Sequence, residues 1–440
     1  MESLDKSRCS VLAQAIEENI VSDNEPNVLF FDLDYFEKVL TKFQEAFASE
    51  NVQFLHCFAV KAAPFPKLMQ RLPSLNFGAE AASLTEVEIA LRNGVEASNI
   101  IWDSPCKTVD EIRFGIERKV NMNADNGQEL VRMDEIINAL NLPEDQIPKY
   151  LGIRLNPCVG FGERTETSTS DLYSKFGLPM TVYKEEIIKF FEIYKWLNTL
   201  HFHIGSQAFG ISALVEAVKK VVDLAEEINS KFDEQKIKAL DIGGGLPTLY
   251  DSDDYEKHLA TFPDFVNQIK QNVPELLSGK YVIMSENGRT FTTKSGFAVG
   301  RIEYTKTVND LTIVIQHIGA DLLLRTCYLP EAWPLRMFVC NPDGSFKESS
   351  GDDKEVVCDV AGPLCFGGDK IARSRKLVNP QPGDWLIVCD TGGYTVGMWS
   401  RHCSRPVPAV YEFRRPTADK AQFALMKKKE TIEEVISFYE

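Results

Sequence analysis

Phe54-Leu55-His56-Cys57-Phe58-Ala59-Val60-Lys61-Ala62 is a short apolar run with a lysine near its end, and the chain repeats that kind of run seven more times. The later runs cover residues 75–82, 99–104, 119–124, 150–156, 199–205, 238–243 and 281–286. Between them lie stretches with apolar residues at helical spacing, such as 85–93, 108–118 and 213–231. Strand-like runs alternating with amphipathic helices imply parallel strands joined by crossover helices. Eight such units are what a closed (β/α)8 barrel requires. An open doubly wound sheet would carry a G-x-G-x-x-G turn after its first strand, and Lys61-Ala62-Ala63-Pro64 is not one. The expected fold class is α/β, a (β/α)8 TIM barrel.

From about residue 296 the pattern changes. Strand-like runs at 299–308, 311–319, 336–340, 355–360 and 384–389 are separated by turns such as Asn341-Pro342-Asp343-Gly344 and Thr391-Gly392-Gly393. Helical periodicity returns only in the last 25 residues. A C-terminal all-β domain, barrel or sandwich, is expected. The division is then a barrel over 28–295 and a β domain over 296–440, with 1–27 a candidate to join the latter. A short strand at 27–33 fits either domain.

Composition sets the class. Of 440 residues 44% are hydrophobic and 25% charged, which excludes a disordered chain, a collagen-like fibre and a coiled coil. No stretch reaches 18 consecutive apolar residues, so no membrane-spanning helix is expected, and Met1–Asn24 lacks the basic and apolar regions of a secretory leader. A net charge of −16 argues against nucleic acid or an anionic membrane as partner. Lys427-Lys428-Lys429 reads as a solvated tail. Ten cysteines without a C-x-x-C pair exclude a zinc ribbon or thioredoxin motif and fit reduced thiols in the cytoplasm.

In such a barrel the chemistry collects at the C-terminal ends of the strands. Those ends carry Lys61, Glu80, Arg154, His201-Phe202-His203, Asp241-Ile242-Gly243-Gly244-Gly245 and Glu286-Asn287-Gly288-Arg289. Lys61 alone reads as a lysine snorkelling from a strand end, or as a desolvated amine for Schiff-base chemistry. The glycine triplet alone is a flexible turn, or a row of backbone N–H groups that cradles a phosphate. Gly288-Arg289 offers a close backbone approach beside a permanent cation. His201 and His203 stand on one face of a strand, and a metal pair is the rival reading. None of His56, His258, His317 and His402 follows a barrel strand where it would complete a ligand set, so no metal is expected. Taken together, lysine, phosphate cradle, histidine and carboxylate specify pyridoxal phosphate.

These motifs, with Gly362-Pro363-Leu364-Cys365, Asp369 and Gly392-Gly393-Tyr394-Thr395, resemble the fold-type III pyridoxal-phosphate decarboxylases, the group of diaminopimelate, ornithine and arginine decarboxylases. The likeness runs from about residue 25 to 415. His203-Ile204-Gly205-Ser206-Gln207 and Ser404-Arg405-Pro406 lean toward the diaminopimelate branch. The resemblance implies an alanine-racemase-like barrel and a homodimer with two shared sites. It implies that Lys61 carries the cofactor, with Glu80 nearby and Glu86 in the following helix. His203 would stack on the ring and Glu286 would face its nitrogen. Ser206, Gly243, Gly244, Gly245, Gly288, Arg289 and Tyr394 would hold the phosphate side. Cys365 would reach the partner subunit's cofactor, and Arg154, Arg325 and Tyr328 would serve the substrate. The implied reaction is removal of the α-carboxyl group of a small-molecule amino acid.

Two positions depart from the family. An acid usually follows the cysteine, where it meets the substrate's distal amine; here that residue is Phe366. The glutamate motif reads Glu286-Asn287-Gly288-Arg289 where a proline is usual after the glutamate. Phe366 makes diaminopimelate, ornithine and lysine doubtful as substrates. Phe366, the loop 158–174 and the segment 329–337 are the candidates for lining the distal pocket. The alternatives are a racemase or epimerase on the same cofactor, a catalytically silent homologue, and a metallohydrolase built on His201 and His203.

Overall fold

The computed structural model describes residues 4–48, 51–160, 167–250, 252–351, 353–417 and 420–440. The chain divides into two units. One comprises Val39–Thr248 and Glu256–Phe291; the other comprises the chain up to Lys38, Leu249–Tyr255 and Thr292–Glu440.

The first unit is a closed parallel barrel. Its strands are β1 (Gln53–Ala59), β2 (Gly78–Ala81), β3 (Ile100–Asp103), β4 (Asn121–Ala124), β5 (Leu151–Asn156), β6 (Thr199–Phe202), β7 (Ala239–Asp241) and β8 (Val282–Asn287). Each pairs in parallel with the next, and β8 returns to β1 through Glu286↔Cys57. All eight fall on the runs read from the sequence. One end differs: Val60–Ala62 is a tight helical turn, so Lys61 stands just beyond β1. Helices start where short polar side chains can cap them. Ser83 accepts from the Glu86 N–H ahead of Leu84–Arg92, and Thr108 with Glu111 forms a capping box on Val109–Glu117.

The barrel interior is layered. Cys57, Ile101, Ala239 and Met284, from β1, β3, β7 and β8, pack into one apolar cluster with Tyr150. Side chains alternate along a strand. Two residues further along β3, β7 and β8 the same face carries Asp103, Asp241 and Glu286. The polar site is thus the next layer of the barrel core.

The second unit is a nine-stranded mixed sheet. Along its main path lie Lys370–Val378, Glu355–Ala361, Leu311–Gln316, Gly296–Val308, Asn27–Asp32, Ala409–Thr417 and Lys420–Lys427, with Trp385–Cys389 and Met337–Cys340 branching from Gly296–Val308. The expectations for the start of the barrel and for the last 25 residues are corrected here. Asn27–Asp32 pairs with Gly296–Val308 and Ala409–Thr417, so the barrel does not begin at 28. The helix Leu4–Glu17 buries Cys9, Val11, Leu12 and Ala15 against Phe30, Phe297 and Trp385, so the acidic N-terminus is part of this core. The last 25 residues are not uniformly helical: Lys420–Lys427 is a strand and only Ile432–Ser437 is a helix. The basic triplet is tied down as well, Lys429 to Glu25 at 2.9 Å and Lys428 to Glu434 at 2.6 Å.

Candidate active site

Lys61 projects from the turn after β1, and its Nζ lies 2.6 Å from both oxygens of Glu80 on β2. Burial raises the Glu80 carboxyl to about 6 even though the Lys61 ammonium pulls it down. Glu86 acts within its own helix, where its carboxylate accepts from the Ala82 N–H at 2.7 Å and fixes the first turn.

His203 follows β6, and its Nδ1 accepts from the Gly244 N–H at 3.1 Å. Burial, with Arg154 and Lys61, holds its pKa well below the usual imidazole range. The ring is therefore neutral, with its proton on Nε2. Thr169 donates its hydroxyl proton to the His203 carbonyl. His201 turns elsewhere, with Nδ1 3.2 Å from Asp241. The two histidines have different partners, the Gly244 N–H for His203 and Asp241 for His201.

The glycine triplet after β7 is shaped by close approach. A Cβ on Gly244 would sit 2.2 Å from the Glu286 carbonyl oxygen, and one on Gly245 would sit 2.2 Å from the Gly205 carbonyl oxygen. Only glycine lets these backbones meet. The loop is held by the Gly243 N–H donating to Asp241 at 3.0 Å and by the Glu286 N–H donating to the Gly243 carbonyl at 2.8 Å. Arg289, beyond β8, donates from Nε to the Ser206 hydroxyl at 2.9 Å. At Gly288 a Cβ would meet those of Ala62 and Ala59 at 2.8 and 3.0 Å, which brings this turn onto the one that carries Lys61.

Arg154 on β5 is buried, with its guanidinium 4.3 Å from the Phe176 ring centre. Glu286 on β8 is buried, and its Oε1 has no hydrogen-bond partner. Burial, then Asp103 and Asp241, push its carboxyl well above the usual range. Motifs and spacing assigned no role to Asp103 or Asp241, and gave His201 only the metal-pair reading. The usable signal was the alternation that puts Asp103 on the inward face with Ile101.

The sheet unit holds the other expected residues. Arg325 lies 5.0 Å from the Tyr394 ring centre and 5.4 Å from that of Trp333. Tyr328 is exposed and stacks on Phe366 at 6.1 Å, and His402 meets Phe366 edge-on at 5.5 Å. Cys365 is exposed, and its backbone N–H donates to Cys403 Sγ at 3.4 Å. Asp369 accepts from the Leu364 and Ala320 N–H groups at 2.6 and 2.7 Å and so fixes the loop before Cys365. Of the loop 158–174, residues 161–166 lie outside the described residues.

Pyridoxal phosphate needs an amine for its aldehyde, a cradle for its phosphate and a group to meet its ring nitrogen. The barrel mouth offers a lysine amine, a backbone cradle that no Cβ can enter, and a buried carboxyl oxygen without a partner. The donor set fits that cofactor.

Comparison with known proteins agrees. The family described as "Pyridoxal-dependent decarboxylase, pyridoxal binding domain" matches residues 33–293. The chain is 29% identical over 399 residues to diaminopimelate decarboxylase of Aquifex aeolicus, covering 89% of this chain and 87% of that one. It is 27% identical to the Campylobacter jejuni enzyme of the same name, covering 93% and 95%. The crystal structure of Helicobacter pylori diaminopimelate decarboxylase complexed with L-lysine superposes with a TM-score of 0.81 at 24% identity, over 96% of this chain and 99% of that one. No described helix is long and apolar enough to cross a membrane. With more than half of the chain matched, from before β1 to just past Arg289, the chain belongs to the pyridoxal-dependent decarboxylases, carboxy-lyases that act on amino acids with pyridoxal phosphate as cofactor.

Proposed function

We propose that the chain removes the α-carboxyl group of an amino acid related to diaminopimelate but differing in its distal group. What supports this reading is Phe366, which follows Cys365 where the resemblance implies an acid and whose ring stacks on Tyr328. An aromatic ring can meet a cation by its face, but it cannot form the charge-assisted hydrogen bonds that an ammonium receives from a carboxylate.

Lys61 would hold the cofactor's aldehyde carbon, and Glu80 would orient the amine. Gly243, Gly244, Gly245, Gly288, Ser206, Arg289 and Tyr394 would hold the phosphate side. His203, neutral and fixed through Nδ1, would lie against the ring, and Glu286 would meet its nitrogen. The cofactor, when bound, supplies an electron sink conjugated to the substrate's Cα. Arg154, Arg325 and Tyr328 would anchor the carboxylate that stays. The carboxyl that leaves as CO2 is replaced at Cα by a proton from Cys365 Sγ or Lys61 Nζ.

We assign the residues around 28–38 to the sheet unit, and we take the working form as a homodimer in which Cys365 serves the partner subunit's site. Ten unpaired cysteines suit a reducing, cytoplasm-like setting. The test is CO2 release by the purified protein across a panel of monocarboxylic, dicarboxylic and amine-bearing amino acids. CO2 from a substrate without a distal ammonium supports the reading. Inversion at Cα without CO2 points to a racemase, and release from diaminopimelate alone returns the chain to its relatives' substrate.

A further inference from the structure

Four buried side chains meet in the polar layer of the barrel: Asp103 at the end of β3, His201 on β6, Asp241 at the end of β7 and Glu286 on β8. One ring nitrogen or carboxylate oxygen from each lies within 4.8 Å of the others. His201 Nδ1 is 3.2 Å from Asp241 Oδ2 and 3.9 Å from Glu286 Oε1, and its Nε2 is 3.9 Å from Asp103 Oδ1. Asp241 has further donors, the Gly243 N–H at 3.0 Å and the Asn123 amide at 3.4 Å. Both Asp103 oxygens and Glu286 Oε1 are buried without one.

Two carboxylates pressed together out of water cannot both stay ionised. Leaving them without donors costs several kcal/mol per ion. One proton between Asp103 and Glu286 removes a charge and creates the missing O–H donor. A second proton on His201 faces Asp103, Asp241 and Glu286 at once. The other charged or titratable groups around the cluster include Glu80 with Lys61, Arg154, Lys107 paired with Glu129 at 2.8 Å, Asp125, the neutral His203 and the Cys57 thiol. The directions agree with one another. Glu286 is pushed up; Asp103 is drawn down, against burial, by His201 and Glu286; and His201 is drawn up, against burial, by Asp103 and Asp241.

We propose that Asp103 is a positioning residue that keeps one proton on Glu286 in the cofactor-free chain, with His201 as a buried imidazolium beside them. The consequence rests on the reading above, in which Glu286 meets the ring nitrogen. Glu286 would then have a proton to give to a bound ring nitrogen: its O–H bond would break with the electron pair left on the oxygen, and an N–H bond would form. No proton is drawn from solvent, and the net charge of the layer and the ring taken together is unchanged.

Infrared spectra of the cofactor-free protein test the core claim. A protonated carboxyl C=O band is expected to persist at about pH 8, far above an ordinary carboxyl's titration, and to vanish in Glu286→Gln. In Asp103→Asn the like charge is gone and the amide donates to Glu286, so the band is again expected to vanish. Asp103→Ser is the second variant should Asn fail to fold. Calorimetry of pyridoxal phosphate binding in two buffers of different ionisation enthalpy is the other arm. Asp103→Asn is expected to take up about one more proton per chain than the wild type. Absence of the band in the wild type, its survival in folded Asp103→Asn, or a stoichiometric divalent cation in the cofactor-free protein would each overturn the proposal. A band that behaves as expected in a protein that binds no cofactor would leave the proposal standing and sink the proposed function instead.

Discussion

Gly244→Ala is a small change with a large expected effect. The new Cβ would lie 2.2 Å from the Glu286 carbonyl oxygen and 2.9 Å from its carbonyl carbon. Both are backbone atoms, so no flexible side chain can yield, and the loop must move by about 1 Å to restore van der Waals contact. Overpacking of this kind costs roughly 1–3 kcal/mol. The same movement strains the Gly244 N–H bond to His203 Nδ1, which adds about 1 kcal/mol. For a unit of this size the sum corresponds to a fall in Tm of roughly 5–15 °C. It also displaces Glu286, whose own N–H is bonded to Gly243, so cofactor affinity should fall with stability. Gly210→Ala is the control, since nothing lies within 4 Å of a Cβ there. The assay is a thermal melt with and without pyridoxal phosphate, together with equilibrium dialysis. If Gly244→Ala matches Gly210→Ala in both melt and affinity, the close approach of the two loops has been misread.

The remaining predictions concern charge. Glu80 titrates at about 6 when folded, above its ordinary 4.5, so its contribution to stability is fully present below the lower value and is lost as pH rises through the upper one. Relative to wild type, Glu80→Gln should therefore gain up to about 2 kcal/mol between pH 4.5 and 7, measured by urea unfolding at each pH; a gap that moves the other way refutes it. Arg289→Gln removes the permanent cation bonded to Ser206 and should weaken pyridoxal phosphate binding roughly ten- to hundred-fold, read by dialysis. Phe366→Glu should raise kcat/KM for diamino acids at least about ten-fold against monoamino acids. An unchanged ratio would mean that this position does not face the substrate.

The barrel was legible because its signals are local. Each strand is a short apolar run closed by a polar residue, and each helix repeats its apolar face every three or four positions. The sheet unit was less so because its pairings are remote in sequence. Nothing near Asn27–Asp32 announces partners at Gly296 and Ala409. The helix Leu4–Glu17 hides behind acidic neighbours, although Arg8, Val11, Leu12 and Ala15 share one face. The strand Lys420–Lys427 carries enough lysine and alanine to pass for a helix. Motif reasoning reached the residues that would touch the cofactor: Lys61, His203, the glycine triplet, Glu286 and Arg289. It gave Asp103 no role and His201 only a metal-pair reading, because their place in the cluster comes from four strands meeting in one layer, and no single strand displays that.

Borohydride reduction of the pyridoxal-phosphate-loaded protein, followed by peptide mass spectrometry, bears most directly on Lys61. The account predicts loss of the visible absorbance and a phosphopyridoxyl group on the peptide that contains Lys61, with no such label in Lys61→Ala. A label on another lysine, or none on a protein that has bound the cofactor, would contradict it.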